Sequence, residues 1–168
     1  MGQKEANSIT ELDGYKSRGA RALVLLHEKH LRECLGVWRQ AKAANLKLPG
    51  TTDENYRSLE TLLAHILGAP RAYLTWICKN LELPDPEIRP TPGADTIEAE
   101  AEGYLEHLLE RWRLPLVDVE EEKLYNPEYA SNSGTHHHCV DIMLEHAVMH
   151  PVRHEFQLRE LLQTQAPG

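Results

Sequence analysis

The chain has 168 residues, with 18 Lys and Arg against 26 Asp and Glu, a formal net charge of −8. That balance argues against nucleic-acid binding, since affinity for a phosphate backbone comes largely from basic side chains. Apolar residues make up 41% and aromatic ones only 6%, so one domain with an aliphatic core is expected, and no apolar run approaches the roughly 20 residues of a membrane span.

From Lys16 to Ala44 there is no proline, and Ala20, Leu23, Leu26, Leu31, Cys34, Val37 and Trp38 recur at helical spacing, which predicts helix 1. After Leu46 to Gly50, the polar residues Thr51, Thr52 and Asp53 offer N-cap chemistry for helix 2, with Glu54 in its first turn and an end near Asn80. Pro70 falls inside helix 2 and is expected to bend it against the carbonyl of Ile66. Leu83 to Gly93 (LPDPEIRPTPG) is too rich in proline to be helical and reads as an ordered connector. Asp95 or Thr96 then caps helix 3, which carries Ile97, Ala101, Tyr104, Leu105, Leu108, Leu109 and Trp112 and ends near Pro115. Val117 to His138 is a long crossover that permits a non-sequential helix arrangement. Helix 4 starts between His137 and Cys139, contains Pro151, and frays after Gln163. Four helices of about 20 to 28 residues predict an all-α four-helix bundle with a long crossover between helices 3 and 4, one domain over 1–168 with frayed ends at 1–14 and 164–168.

Ten histidines stand out in a chain of this size. Helix 4 places His146, His150 and His154 at successive four-residue intervals. Neighbours in that series differ by about 40° around the axis and lie one turn apart, so two such imidazoles can converge on one ion. The zincin signature H-E-x-x-H is absent, because Pro151 stands where its Glu would be. A third ligand must come from another helix, and His65, among Leu62, Leu63, Ile66 and Leu67 of helix 2, is the best candidate. Ala69, Ala72 and Trp76 share its face, which predicts a ligand-sized space between helices 2 and 4 closed at one end by Trp76.

Two segments, LLAHILGAPRAYLTWI (Leu62 to Ile77) and HPVRHEFQLREL (His150 to Leu161), carry a resemblance that extends over nearly the whole chain. The chain resembles the DinB superfamily, including its bacillithiol-transferase-like (YfiT-like) branch. The second segment is similar to that family's H-x-x-x-H-x-G-Q motif, with Gln157 matching the Gln and Phe156 in place of Gly. The resemblance implies a four-helix bundle in which His65, His150 and His154 hold one divalent metal ion, most naturally Zn²⁺ or Ni²⁺, and a homodimer. It also implies a metal-dependent protein related to thiol-cofactor transferases or isomerases, and a metal that activates water or a low-molecular-weight thiol makes the expected reaction hydrolysis or thiol-dependent transfer.

An open coordination position beside three neutral imidazoles is the arrangement of catalytic rather than structural metal sites. His146 is open to three roles: a fourth ligand, a proton-transfer group, or a polar edge residue. His27 and His30 are expected at solvent or helix edges, with no convergent ligand on another helix. His136, His137 and His138 are expected at a helix start or loop, with at most a weak adventitious metal site. Cys34, Cys78 and Cys139 form no disulfide framework or C-x-x-C pair and, with no apolar leader in Met1 to Thr10, suggest a cytoplasmic protein. The expected partner is a small-molecule substrate, with no nucleic acid and no membrane. The alternative is a non-catalytic, metal-stabilised binding or stress-response module.

Overall fold

The computed structural model describes residues 14–165, which are mostly helical. The fraying expected at 1–14 and 164–168 therefore lies largely outside the described residues. Where the two overlap, Gly14 sits in a turn and the last helix runs on through Gln165.

Helix α1 (Arg18–Ala43) starts at a fully buried Ser17, whose hydroxyl accepts the Ala20 N–H at 3.1 Å. That bond satisfies one of the donors a helix leaves open in its first turn. Its buried stripe runs Ala20, Val24, His27, Leu31, Cys34, Leu35, Trp38, Ala41. The face is rotated from the expected one: Leu26 is 41% exposed, and His27, expected at an edge, is 1% exposed. The steps of three and four from Ala20 through Val24 to Leu31 pass through position 27, so His27 takes the core position.

Helix α2 (Leu59–Asn80) begins later than the Thr51 to Asp53 cluster suggested. Asp53 does cap, but only a single 3-10 turn, Glu54–Tyr56. The chain then extends at Ser58, which exchanges reciprocal bonds with Thr61: Thr61 N–H to Ser58 Oγ at 3.1 Å, and Ser58 N–H to Thr61 Oγ1 at 2.9 Å. This capping box fixes the true start. Trp38 Nε1 donates to the Leu59 carbonyl at 2.6 Å and ties that start to α1. The helix continues through a buried Pro70.

The proline-rich connector is ordered, as expected. Arg71 Nε donates to the Ile88 carbonyl at 3.0 Å, and the Thr91 and Tyr104 hydroxyls lie 3.0 Å apart. Gly68 of α2 lets this connector approach closely, since a Cβ there would lie 3.2 Å from Thr91 Oγ1. Helix α3 (Ile97–Trp112) follows without a side-chain cap, its first N–H bonding the Gly93 carbonyl at 2.8 Å.

The crossover is more structured than its composition suggested. It holds a short helix, α4 (Glu121–Tyr125), and an antiparallel pair of two-residue strands, β1 (Tyr129–Ala130) and β2 (His137–His138), with Tyr129 opposite His138. Trp76 Nε1 donates to the Ala130 carbonyl at 2.8 Å, so α2 holds this hairpin. Helix α5 (Val140–Gln165) runs through a buried Pro151 and lies along α1. Helix α2 packs on both α3 and α5, and α5 packs on both α1 and α2. The buried apolar side chains form one cluster, with Trp38, Trp76 and Trp112 its largest members. Among the described residues no helix is long and apolar enough to cross a membrane.

Candidate metal centre

Three imidazoles from two helices meet at one point. His65 projects half-buried from α2, while His150 and His154, 3% and 5% exposed, project one turn apart from α5. His150 Nε2 lies 3.0 Å from His65 Nε2 and 3.3 Å from His154 Nε2, and the ligand atoms of all three lie within 4.8 Å of one another. An ion held by imidazole nitrogens at about 2.0–2.1 Å sets neighbouring donors roughly 3 Å apart, so this spacing fits a single centre. Both spacings fall within hydrogen-bond range, and with the ring protons on Nδ1 the three Nε2 lone pairs converge with no proton between them. A divalent cation resolves that crowding.

The orientation of His154 is fixed from behind. Its Nδ1–H donates to Gln157 Oε1 at 3.2 Å, with the Tyr56 hydroxyl 3.3 Å away, and the Tyr56 hydroxyl in turn donates to Gln157 Oε1 at 3.1 Å. With the proton held on Nδ1, the Nε2 lone pair faces the other two histidines, as a ligating tautomer requires. Gln157 is legible in the sequence through its motif. Tyr56 is not, because it lies outside every helical repeat, in the 3-10 turn that Asp53 caps. His150 Nδ1 is buried and has no hydrogen-bond partner in the protein.

Electrostatics keep the rings unprotonated. Burial, and then the positive potential of His154, His65 and Arg153, push His150 down to about 2. Burial and His65 push His154 down to about 4, against the opposing bond to Gln157, and burial also lowers His65. Neutral imidazole is the form that binds a metal.

His146 lies outside the cluster. It is exposed, with its ring edge-on to Tyr73 at 5.2 Å, and Tyr73 in turn lies 6.0 Å from His150. Burial, then Arg153 and His138, lower its pKa. Phe156, which replaces the Gly of the motif, is 62% exposed and directs its bulk outward.

The space expected against Trp76 is taken differently, since that indole is buried and bonded to the hairpin. A groove of about 520 Å³ instead opens beside Tyr56 and Gln157, lined also by Leu48, Leu62, Leu158 and Leu161 and by none of the three histidines. It backs onto the Tyr56–Gln157 pair rather than onto the three Nε2 atoms.

The remaining histidines separate cleanly. His27 stacks on Trp112 with ring centroids 4.2 Å apart, and neither of its nitrogens has a hydrogen-bond partner. His30, expected to lack a convergent ligand, has Glu155 of α5 close by. His136 is exposed, and His137 and His138 form β2. Cys34, Cys78 and Cys139 are buried free thiols, and burial raises Cys34 to about 12 and Cys78 to about 11, leaving them unreactive at ordinary pH. In comparisons with known proteins, no family model, no curated protein and no solved structure matches this chain.

Proposed function

We propose that the protein is a metal-dependent enzyme of the DinB kind, a hydrolase or thiol-dependent transferase, acting on a small molecule at the His65–His150–His154 centre. The observation that carries this reading is the convergence of three Nε2 atoms at 3.0 and 3.3 Å, with His154 held in its ligating tautomer by Gln157 and Tyr56. Zn²⁺ or Ni²⁺ would supply Lewis acidity there and lower the pKa of a coordinated water or thiol toward neutrality. Around it, Tyr56 and Gln157 hold the proton on His154 Nδ1, burial excludes water from two of the ligands, and Tyr73 positions His146 for proton transfer at the edge. In this reading the four long helices are a four-helix bundle, the protein is a cytoplasmic homodimer, and the thiol is a low-molecular-weight cosubstrate.

A second reading, a non-catalytic binding or stress-response module, draws on the ligands' placement: they join α2 to α5 across 85 residues, as a structural staple does. Elemental analysis of protein purified without a metal column tests the centre, which is expected to hold about one ion per chain, lost in His150→Ala. Turnover of esters, amides or thiol-reactive electrophiles by metal-loaded protein, abolished in that variant, supports the enzyme. Metal-dependent stability without turnover favours the staple, and no bound metal with unchanged melting on adding Zn²⁺ or Ni²⁺ overturns both.

A further inference from the structure

Helices α1 and α5 meet along their length, and away from the three-histidine centre they bring together one imidazole and two carboxylates. His30 and Glu33 lie one turn apart on α1, and Glu155 comes from α5. Their ligand atoms lie within 4.8 Å of one another. His30 Nδ1 is 3.2 Å from Glu33 Oε2, yet this buried nitrogen makes no aligned hydrogen bond. Glu155 is mostly buried, so its carboxylate is held in place, while Glu33 is exposed and free to turn.

We infer that His30, Glu33 and Glu155 form a second divalent-cation site, distinct from the three-histidine centre. Glu155 follows His154 directly, about 100° further round α5, so the two sites use different faces of the same helix. One imidazole with two carboxylates is a harder donor set than three imidazoles, suited to Mn²⁺, Co²⁺ or Zn²⁺ and unsuited to soft monovalent copper. His30 Nδ1 and Glu33 Oε2, 3.2 Å apart, already stand at the spacing of two donors on one ion.

The site is the weaker of the two. Arg159 Nε already donates to Glu155 Oε1 at 2.8 Å, and Lys29 lies 3.9 Å from Glu33. An incoming cation competes with both, using the second oxygen that each carboxylate retains. It is therefore expected to fill at higher concentration than the buried centre.

The test is a Zn²⁺ titration, followed by Mn²⁺ binding read by electron paramagnetic resonance, on full-length untagged chain stripped by chelator. About two Zn²⁺ per chain are expected, the looser one lost in His30→Gln, Glu33→Gln and Glu155→Gln and kept in His150→Ala. Mn²⁺ binding is expected to fall at least about tenfold in the same three variants and to stay unchanged in His150→Ala. Glu33→Gln is a surface change that leaves the fold intact, so loss of the second ion in that variant is a loss of ligand. If the His150→Ala titration matches wild type while Glu155→Gln binds nothing, the three-histidine reading fails and the second site stands. A second ion untouched by the His30, Glu33 and Glu155 variants, or removed by substituting His136, His137 and His138, overturns the proposal, as does binding of a single ion that only His150→Ala abolishes.

Discussion

His27 sits in an environment that its chemistry disfavours. It is buried against Trp112 with no hydrogen-bond partner, and burial pushes its pKa down from 6.5 to about 3. The unfolded chain takes up this proton below about pH 6.5, whereas the folded one refuses it until about pH 3, so the folded state is fully stable above 6.5 and loses stability as pH falls through that window. The loss is about 1.4 kcal/mol per pH unit from this one residue. His27→Leu, of similar volume and without polar atoms, is expected to be at least as stable as wild type at pH 7 and more stable by about 2 kcal/mol at pH 5, measured by urea midpoints. No gain on acidification would mean that His27 is hydrated in solution. At the metal centre, Tyr56→Phe and Gln157→Leu leave all three ligands in place and free the His154 ring. Metal affinity measured by chelator competition is expected to drop about 10- to 100-fold in Gln157→Leu, and less in Tyr56→Phe. The three converging histidines were legible as a four-residue repeat plus a histidine in an apolar helix. Tyr56 was not, because its role depends on where a non-repeating turn folds back over α5.

At the level of elements, helical period and proline placement located α1, α2, α3 and α5 closely, since each buries a stripe that recurs at three and four residues. Starts were harder to place. Thr51 to Asp53 and Ser58 all have capping side chains, and what separates them is the reciprocal Ser58–Thr61 pair, which only the folded backbone completes. Ser58→Ala is therefore expected to cost about 1 kcal/mol and to fray the turns that carry His65. Loosened metal binding would accompany the lower stability, and metal affinity unchanged despite that loss would show that His65 is anchored by packing alone. Gly68 is the reverse case. Alanine there gains about 1 kcal/mol of helix propensity, but its Cβ would crowd Thr91, whose hydroxyl is engaged with Tyr104. Gly68→Ala is expected to show little or no gain alone and a clear one in a Thr91→Ala background. The β1–β2 hairpin had no periodic signal, because two-residue strands are too short to alternate.

Across the whole molecule, the first and last long helices lie side by side and the three converging histidines come from α2 and α5. The length of the crossover permits a non-sequential arrangement without requiring one. The partners within it were not legible, since pairing of distant elements leaves no local pattern. A cation bound only by the folded state adds stability by mass action, about 2.7 kcal/mol at a hundredfold excess over Kd. Chelation is accordingly expected to lower Tm by roughly 5 to 10 °C in wild type and far less in His65→Ala, as read by calorimetry. The 85-residue separation between His65 and His150 also imposes an order in time. On a ribosome adding about 5 to 20 residues per second, His65 emerges several seconds before its partners and at least that long before α5 can dock. The nascent chain therefore presents a lone imidazole rather than a chelate, and the centre can be filled only after synthesis has passed His154. In the proposed function, loading of the site then follows translation as a separate step, governed by whatever metal the surrounding medium holds at that moment.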